Sequence, residues 1–453
     1  MRRLLLPLTI LLALVLVQPA GASRTQSMTF EAPRDLMNPD LRAGALEELD
    51  SFGVRSVRVI LTWQSVAPGA NRSQRPDFEP SDPEAYDWGQ YEPLMAALKA
   101  RGWSVLMTIS GPVPKWATRA RRDNLTRPSR GAFAAFATAV GRKFGDQVDT
   151  WAIWNEPNQP QFLRPQYARG GRAVSPAIYR GLFQAGVRGL RKSGQGDDTI
   201  LIAETSPRGN SNVVAPLRFL RGMLCLNSKY KKRSKCEALS PDGYAHHAYT
   251  TRQGPFFKPP QKDDVTIGVL SRLTNALNRA HRAGALTKRL PIYLTEFGIQ
   301  STPDKQQGVS LAKQVQYRAI SERIAWSNSR VVAFSQYLLT DSEPTGRNQY
   351  GGFESGLRFA NGKAKPSLRA FRLPLAVKRT GSKVSIWGHV RPATGATTAT
   401  ITYADRGRSF RKLRTVKTNS RGYFTVKANW RKGRRWNLTW EGQSGYPVGA
   451  YRR

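Results

Sequence analysis

The sequence predicts an α/β chain in two parts: a TIM-type (β/α)8 barrel followed by a C-terminal all-β, immunoglobulin-like sandwich. Three observations carry this. Between residues 28 and 372, eight short β-branched or aromatic runs alternate with amphipathic stretches, which is the order of a parallel sheet crossed by helices. Eight near-equal units favour closure over an open doubly wound sheet. After about Phe371 the helical period disappears, and short alternating strands separated by turns take over. The boundaries expected are 1–22 for a leader, 23–372 for the barrel and 373–453 for the sandwich.

The leader reads MRRLLLPLTILLALVLVQPAGAS. Two arginines, an apolar run from Leu4 to Val17 and the small-residue site Ala20-Gly21-Ala22 make a secretory signal peptide. The run falls short of the roughly 18 residues a span requires, although an uncleaved anchor is the competing reading. No later segment is apolar for that length. The expectation is a secreted protein, extracellular or wall-associated, without stable membrane insertion.

The barrel strands are expected at 27–32, 56–63, 103–110, 148–156, 199–206, 242–249, 291–298 and 331–339. Helical patterns such as EPLMAALKARG and RGAFAAFATAVGRKFG lie between them, each closing near a glycine. Cys225 and Cys236 are the only cysteines. In an oxidising compartment they read as one disulfide closing a basic loop, worth on the order of 2–3 kcal/mol in the chain-entropy model. Two thiols without nearby histidines make a poor zinc site, and no metal or organic cofactor is expected.

Charge is the outstanding bulk property. The chain carries a formal net charge of +40, and without the leader's two arginines 69 basic residues face 31 acidic ones. From Pro374 to Arg453, eighteen Lys/Arg stand against two Asp/Glu. Such a field favours anionic polymers, cell-wall polymers among them; the plainer reading is a solvated arginine-rich surface. No zinc-finger or RNP motif points to nucleic acid. Nothing in the sequence calls for more than a monomer.

The chemistry concentrates in WAIWNEPNQP, Trp151–Pro160, where an apolar strand ends by delivering Glu156. A buried acid is costly unless it is paired or has work to do. Glu296, in PIYLTEFG, ends the seventh strand in the same way. Placing Ile292 and Leu294 inward by strand parity places Glu296 inward as well, at the carboxyl rim where barrel enzymes carry their chemistry. Two carboxylates facing each other there can divide glycosidic cleavage between an acid/base and a nucleophile. The alternative is a pair of structural carboxylates in ion pairs.

On these residues the chain resembles the retaining glycoside hydrolases of the clan A barrel type, near family 5 and relatives such as family 39. The resemblance spans roughly residues 28–372 and is anchored by Trp154-Asn155-Glu156-Pro157 and Thr295-Glu296-Phe297-Gly298. It implies that Glu156 is acid/base, that Glu296 is nucleophile, and that Asn155 holds the sugar 2-hydroxyl. It also implies that Tyr249, in His247-Ala248-Tyr249, hydrogen-bonds the nucleophile, and that Arg58 lies beside it. There are departures. The end of the third strand, ISGPVPKWA, lacks the histidine family 5 usually has, and the eighth, FSQYLLTD, has Gln336 and Tyr337 where a tryptophan is usual. The likeness is therefore to clan and mechanism more than to one family.

Physical reasoning adds to these roles. The nucleophile must stay ionised, so Arg58 and Tyr249 should hold its carboxyl low. The acid needs a drier setting, for which Trp151 and Trp154 are candidate walls. Trp63 and Trp116, just past strand ends, are candidate sugar-stacking platforms, with Tyr337 a further candidate contact. His246 and His247 read equally as sugar contacts and as packed rim residues. Arg58 could serve to neutralise a core acid, and Glu204 could bind substrate, cap a helix or form a salt bridge. The sequence thus points to a secreted retaining O-glycosidase acting on a β-linked polysaccharide or oligosaccharide. The alternative is a non-catalytic carbohydrate- or wall-binding protein on the same barrel. The insertions PGANRSQRPDFEPSDPEAYDWGQ and NQPQFLRPQYARGGRAVS are the expected cleft walls.

Overall fold

The computed structural model describes residues 26–233, 236–343 and 352–452. The leader, 1–22, lies outside them.

Eight parallel strands close into a barrel: β1 (Ser27–Glu31), β2 (Ser56–Thr62), β3 (Ser104–Ser110), β4 (Thr150–Ile153), β5 (Thr199–Thr205), β6 (Gly243–His247), β7 (Ile292–Glu296) and β8 (Val331–Tyr337). Each strand pairs with the next, and β1 pairs with β8, Phe30 standing opposite Gln336. Helices separate the strands, as at Arg130–Phe144 and Ser175–Lys192. The first of these is capped by the Ser129 side chain accepting from the Ala132 N–H.

Two apolar layers follow from the alternation. Residues such as Val57, Val59, Met107, Ile109, Ile153, Ile200 and Ile202 face the helices and join the main core. The lumen holds a small cluster of Leu106, Ala152, Leu201 and Ala245, with Tyr293 packed against it. This corrects the parity reading of β7. Ile292 and Leu294 belong to the helix-facing core, and Tyr293 belongs to the lumen. Glu296, three residues after Tyr293, would then face outward in a regular strand.

The last barrel helix, Pro366–Arg372, leads into β9 (Leu375–Thr380). There follow β10 (Lys383–His389), β11 (Thr398–Ala404), β12 (Arg411–Lys417), β13 (Tyr423–Asn429), β14 (Arg435–Trp440), β15 (Gln443–Ser444) and β16 (Val448–Gly449). They form two antiparallel sheets, β13-β10-β9 and β12-β11-β14-β15, with β16 on β14. Val377, Ile386, Ile401, Trp436 and Leu438 fill the space between, and Val315 and Ala370 of the barrel join the same core. Cys225 and Cys236 are bonded, with Cα atoms 6.3 Å apart. Among the described residues, no helix is long and apolar enough to cross a membrane.

Candidate active site

Irregular backbone at the carboxyl rim aims the acids. In β5 an extra residue interrupts the register with β6 between Ala203 and Thr205, and Ala203 and Glu204 adopt φ of 92° and 47°. A second irregularity falls between β6 and β7, where Ala245 pairs with Tyr293 but His247 pairs with Glu296. Such bulges re-aim side chains. Here they turn Glu204 and Glu296 toward Arg58 against the parity of their strands. After β4, Trp154 and Glu156 also take positive φ, 74° and 36°, which is strained for non-glycine residues. The Glu156 N–H donates to the Glu204 carbonyl at 3.1 Å, and the Asn155 N–H to Ser110 Oγ at 3.0 Å, tying this turn to its neighbours.

At the centre lies Arg58, buried in the lumen on β2. Nε donates to Thr108 Oγ1 at 3.2 Å, and Nη2 donates to Asn155 Oδ1 and Glu204 Oε2, both at 2.8 Å. Nη1 donates to Glu296 Oε2 at 3.0 Å and also to Glu31 Oε2. All five guanidinium N–H groups are thereby engaged. Three carboxylates share one arginine, so a proton is best kept on one of them. Burial, outweighing the attraction of Arg58, pushes Glu31 up to about 7.

Glu296 is held the other way. Burial pushes its carboxyl up, but His247, Arg58 and the Tyr249 hydrogen bond outweigh it and keep the group below the usual carboxylate range. Tyr249 OH donates to Glu296 Oε1 at 2.7 Å. Glu156 faces this group across one imidazole: His247 Nδ1 lies 2.9 Å from Glu156 Oε1 and 3.6 Å from Glu296 Oε2. Burial disfavours a charged His247, but Glu296 and Glu156 together raise its pKa. Gln159 Nε2 donates to the other Glu156 oxygen at 2.6 Å. The side chains of Glu156 and Glu296 keep 12% and 11% exposure, whereas Glu204 keeps 1%. Glu156 and Glu296 are therefore the carboxylates a ligand can reach most readily, and Glu204 is an internal partner of Arg58.

The structure thus brings together Arg58, Asn155, Glu156, His247, Tyr249 and Glu296. Tyr337 is near: burial, with Glu296 and Glu31 after it, pushes its phenol far up. Phe353, 40% exposed, packs on Tyr337 and Tyr249 at 5.1 and 6.2 Å between ring centroids. Two expected platforms are not there. Trp63 is fully buried and stacks on Phe136 at 4.9 Å, while Trp116 packs edge-on against Trp63 and gives its indole N–H to the Pro68 carbonyl. Neither offers a face to a sugar. The expected walls of Glu156 fail too. Trp151 donates to Asp198, which precedes β5 at the opposite end of the barrel. Trp154 lies against Phe133 and over Gly111, where a Cβ would come within 2.8 Å of the indole. His246 is a packed residue: Nε2 meets the Val265 carbonyl at 2.8 Å, and burial lowers its pKa to about 4.

Glu31 and Gln159 are absent from the sequence-derived set. Glu31 gave a signal, since it ends a strand as Glu296 does; Gln159 gave none. Beside Gln159 a cavity of about 410 Å³ opens, lined also by Arg208, Asn210, Phe257 and Gln261. Among the described residues, no group of three or more His, Cys, Asp or Glu is arranged to hold a metal ion.

No family model and no curated protein matches the chain. Solved structures do. A glucosidase from Croceicoccus marinus shares 13% identity over 93% of this chain and 96% of its own, with a TM-score of 0.56. A β-glucosidase from Pyrococcus furiosus shares 14% over 78% of this chain and 95% of its own, with a TM-score of 0.49. A β-glucuronidase from Bacteroides uniformis shares 10% over 94% of this chain, with a TM-score of 0.49; the chain spans 46% of that protein's length. At such identities the likeness to the first is one of fold.

Proposed function

We propose that the protein is a secreted retaining O-glycosyl hydrolase that cleaves β-glycosidic bonds through a covalent glycosyl-enzyme intermediate. The observation that carries this is the pairing of Glu156 and Glu296 across His247, with Arg58 and Tyr249 donating to Glu296 and not to Glu156. The facing oxygens cannot lie further apart than the sum of the two histidine contacts. That limit falls at the short end of the roughly 6.5–9.5 Å an inverting pair uses and leaves room for the ~5–5.5 Å of a retaining pair. The glycosidase fold of the Croceicoccus marinus protein is consistent with this reading, and the motifs around Glu156 and Glu296 favour clan A, near family 5 or 39.

In this mechanism a Glu296 oxygen attacks the anomeric carbon as the bond to the leaving oxygen breaks, and that oxygen takes the proton of Glu156. Water then gives a proton to Glu156 and bonds the anomeric carbon, releasing Glu296. Arg58 and Tyr249 keep the nucleophile ionised between turnovers. Asn155 Oδ1 is taken by Arg58, which leaves its amide N–H groups for the sugar 2-hydroxyl. Phe353, rather than Trp63 or Trp116, supplies the exposed aromatic face, and the cavity beside Gln159 receives the leaving group.

The test is mass spectrometry after incubation with 2-deoxy-2-fluoro glycosyl fluorides of the gluco, manno, galacto and xylo series. A sugar adduct on Glu296 is expected. No adduct, together with a Glu296→Gln variant that binds glycans as the wild type does, would favour the carbohydrate-binding alternative. We also propose that the sandwich, with eighteen Lys/Arg against two acids, tethers the enzyme to anionic wall polymers. About 1 M salt, which shortens the Debye length to about 3 Å, should then release the full chain from walls; retention would rule out electrostatic tethering.

A further inference from the structure

Positive charge is spread unevenly around the carboxyl rim. The loops after β3, β4 and β5, residues 111–129, 154–174 and 206–215, carry nine Lys/Arg against two acids, Asp123 and Glu156. The loops after β6 and β7, residues 248–266 and 297–310, carry four against three. The excess lies on the side of Glu156, and the side of Glu296 is nearly balanced. An arginine-rich composition alone would not sort the charge in this way.

The three basic loops form one surface. The Arg164 N–H donates to the Leu125 carbonyl at 3.0 Å and the Arg127 N–H to the Arg164 carbonyl at 2.9 Å, joining the first loop to the second. Tyr167 OH donates to the Val213 carbonyl at 3.1 Å, joining the second to the third. Arg119, Arg121, Arg122, Arg127, Arg169 and Arg172 stand exposed on this surface. Among the described residues, none of their guanidiniums has a hydrogen bond or ion pair to the protein. The cavity of about 410 Å³ beside Gln159 links the surface to the acid/base, since Gln159 bonds Glu156 and Arg208 lines the same cavity. Arg208 is exposed, and its guanidinium is likewise unspent among the described residues. Asp264, the one acid of the lining, is 4% exposed and accepts from the Gly209 N–H at 2.9 Å, so an entering group meets the arginine first. Half-buried Phe257 and the exposed Asn210 and Gln261 supply an aromatic face and amides, which suit a sugar.

We propose that the leaving group is acidic: the substrate is a glycan whose carboxylate or sulfate meets Arg208, with further anionic sugars along the arginine surface. This rests on the reading of Glu156 as acid/base, which puts the leaving group on its side. Guanidinium forks suit either oxyanion. A row of cations beside a cleft also draws a polyanion in from solution.

Calorimetric titration of the full chain carrying Glu296→Gln, which leaves the ligand uncut, tests this at about 0.15 M ionic strength. Three probes share one β-1,4 backbone: cellotetraose, its 6-O-sulfated form and tetraglucuronate. At least one anion should bind about ten-fold or more tightly than cellotetraose, and the tighter one identifies the oxyanion. Adding Arg208→Gln should weaken that anion by about five-fold or more and leave cellotetraose unchanged. Replacing Arg119, Arg121 and Arg122 together by glutamine should weaken it further. The same exchange at the exposed Arg188, Arg191 and Lys192, at the end of a helix on the opposite side of the barrel, should change nothing. Equal binding of all three probes, or equal losses in the two triple variants, would leave only diffuse attraction by a basic chain and overturn the proposal. The fluoro-sugar adduct is read separately. An adduct on Glu296 without preference for an anion strikes the acidic leaving group and keeps the glycosidase; a preference lost with Arg208 but no adduct keeps the acidic ligand and strikes the cleavage.

Discussion

Arg58 spends its whole hydrogen-bonding capacity inside the protein, and this decides what its neighbours can do. With three carboxylates on one guanidinium, removing one leaves the arginine still compensated by the other two. Glu31 is the one to remove, because burial raises its pKa from 4.5 to about 7. Below about pH 4.5 the carboxyl is protonated folded or unfolded, and its environment has no effect on stability. Between about 4.5 and 7 the folded state keeps a proton that the unfolded state has lost, so this group's contribution falls as pH rises; above 7 the penalty is constant. Each raised unit is worth about 1.4 kcal/mol. Glu31→Gln, whose amide oxygen can still accept from Arg58, should therefore match the wild type at pH 4.5 and exceed it by roughly 3 kcal/mol at pH 8. Urea unfolding at the two pH values measures the difference. Equal gaps at both would mean that Glu31 is an ordinary ionised partner of the arginine.

Strands and their bulges set how far the site was legible. The eight strands could be read because β-branched runs and amphipathic stretches alternate visibly, and Glu156 and Glu296 stood out because each ends such a run. The facing of Glu296 was not legible. Ile292 and Leu294 look like an inward set, yet they face the helices, and the glutamate turns inward through a bulge defined by its pairing with β6. That register is a property of two strands and is not written in either one alone. The same holds for Trp63 and Trp116, whose strand-end positions cannot tell an aromatic core from a cleft wall. The lumen yields a prediction of its own. Tyr293 fits because its β6 neighbour has no side chain: a Cβ on Gly243 would come within 2.4 Å of the Tyr293 ring and 2.8 Å of Leu201. Gly243→Ala should cost about 1–3 kcal/mol by overpacking, and Tyr293→Leu in the same chain should return part of it. Denaturant midpoints of the single and double variants test this; a neutral Gly243→Ala would mean that the lumen has slack.

Across the whole molecule, barrel and sandwich share both a core and a buried ion cluster. Val315 and Ala370 pack into the sandwich interior, and Glu322 of the barrel accepts from Arg391 of the sandwich as well as from its own Arg318. Replacing Glu322 by glutamine leaves two buried guanidiniums facing a neutral amide, a loss of about 3–5 kcal/mol when one partner of a buried pair is removed. The acid dependence of this loss separates it from mere misfit. Burial alone would raise the Glu322 carboxyl, but Arg391 and Arg318 hold it well below the carboxylate range. Above about pH 4.5 the carboxylate is ionised in both states, and its stabilisation is fully present. Below that, the unfolded chain takes up a proton that the folded chain refuses, so stability falls with pH. Wild type should therefore approach Glu322→Gln as the medium is acidified from pH 7 toward pH 3. Calorimetric melting of both proteins across that range gives the answer. Converging curves place the seam between barrel and sandwich under the control of one carboxylate. Parallel curves would mean that the shared apolar core holds the two together and the ion cluster adds nothing.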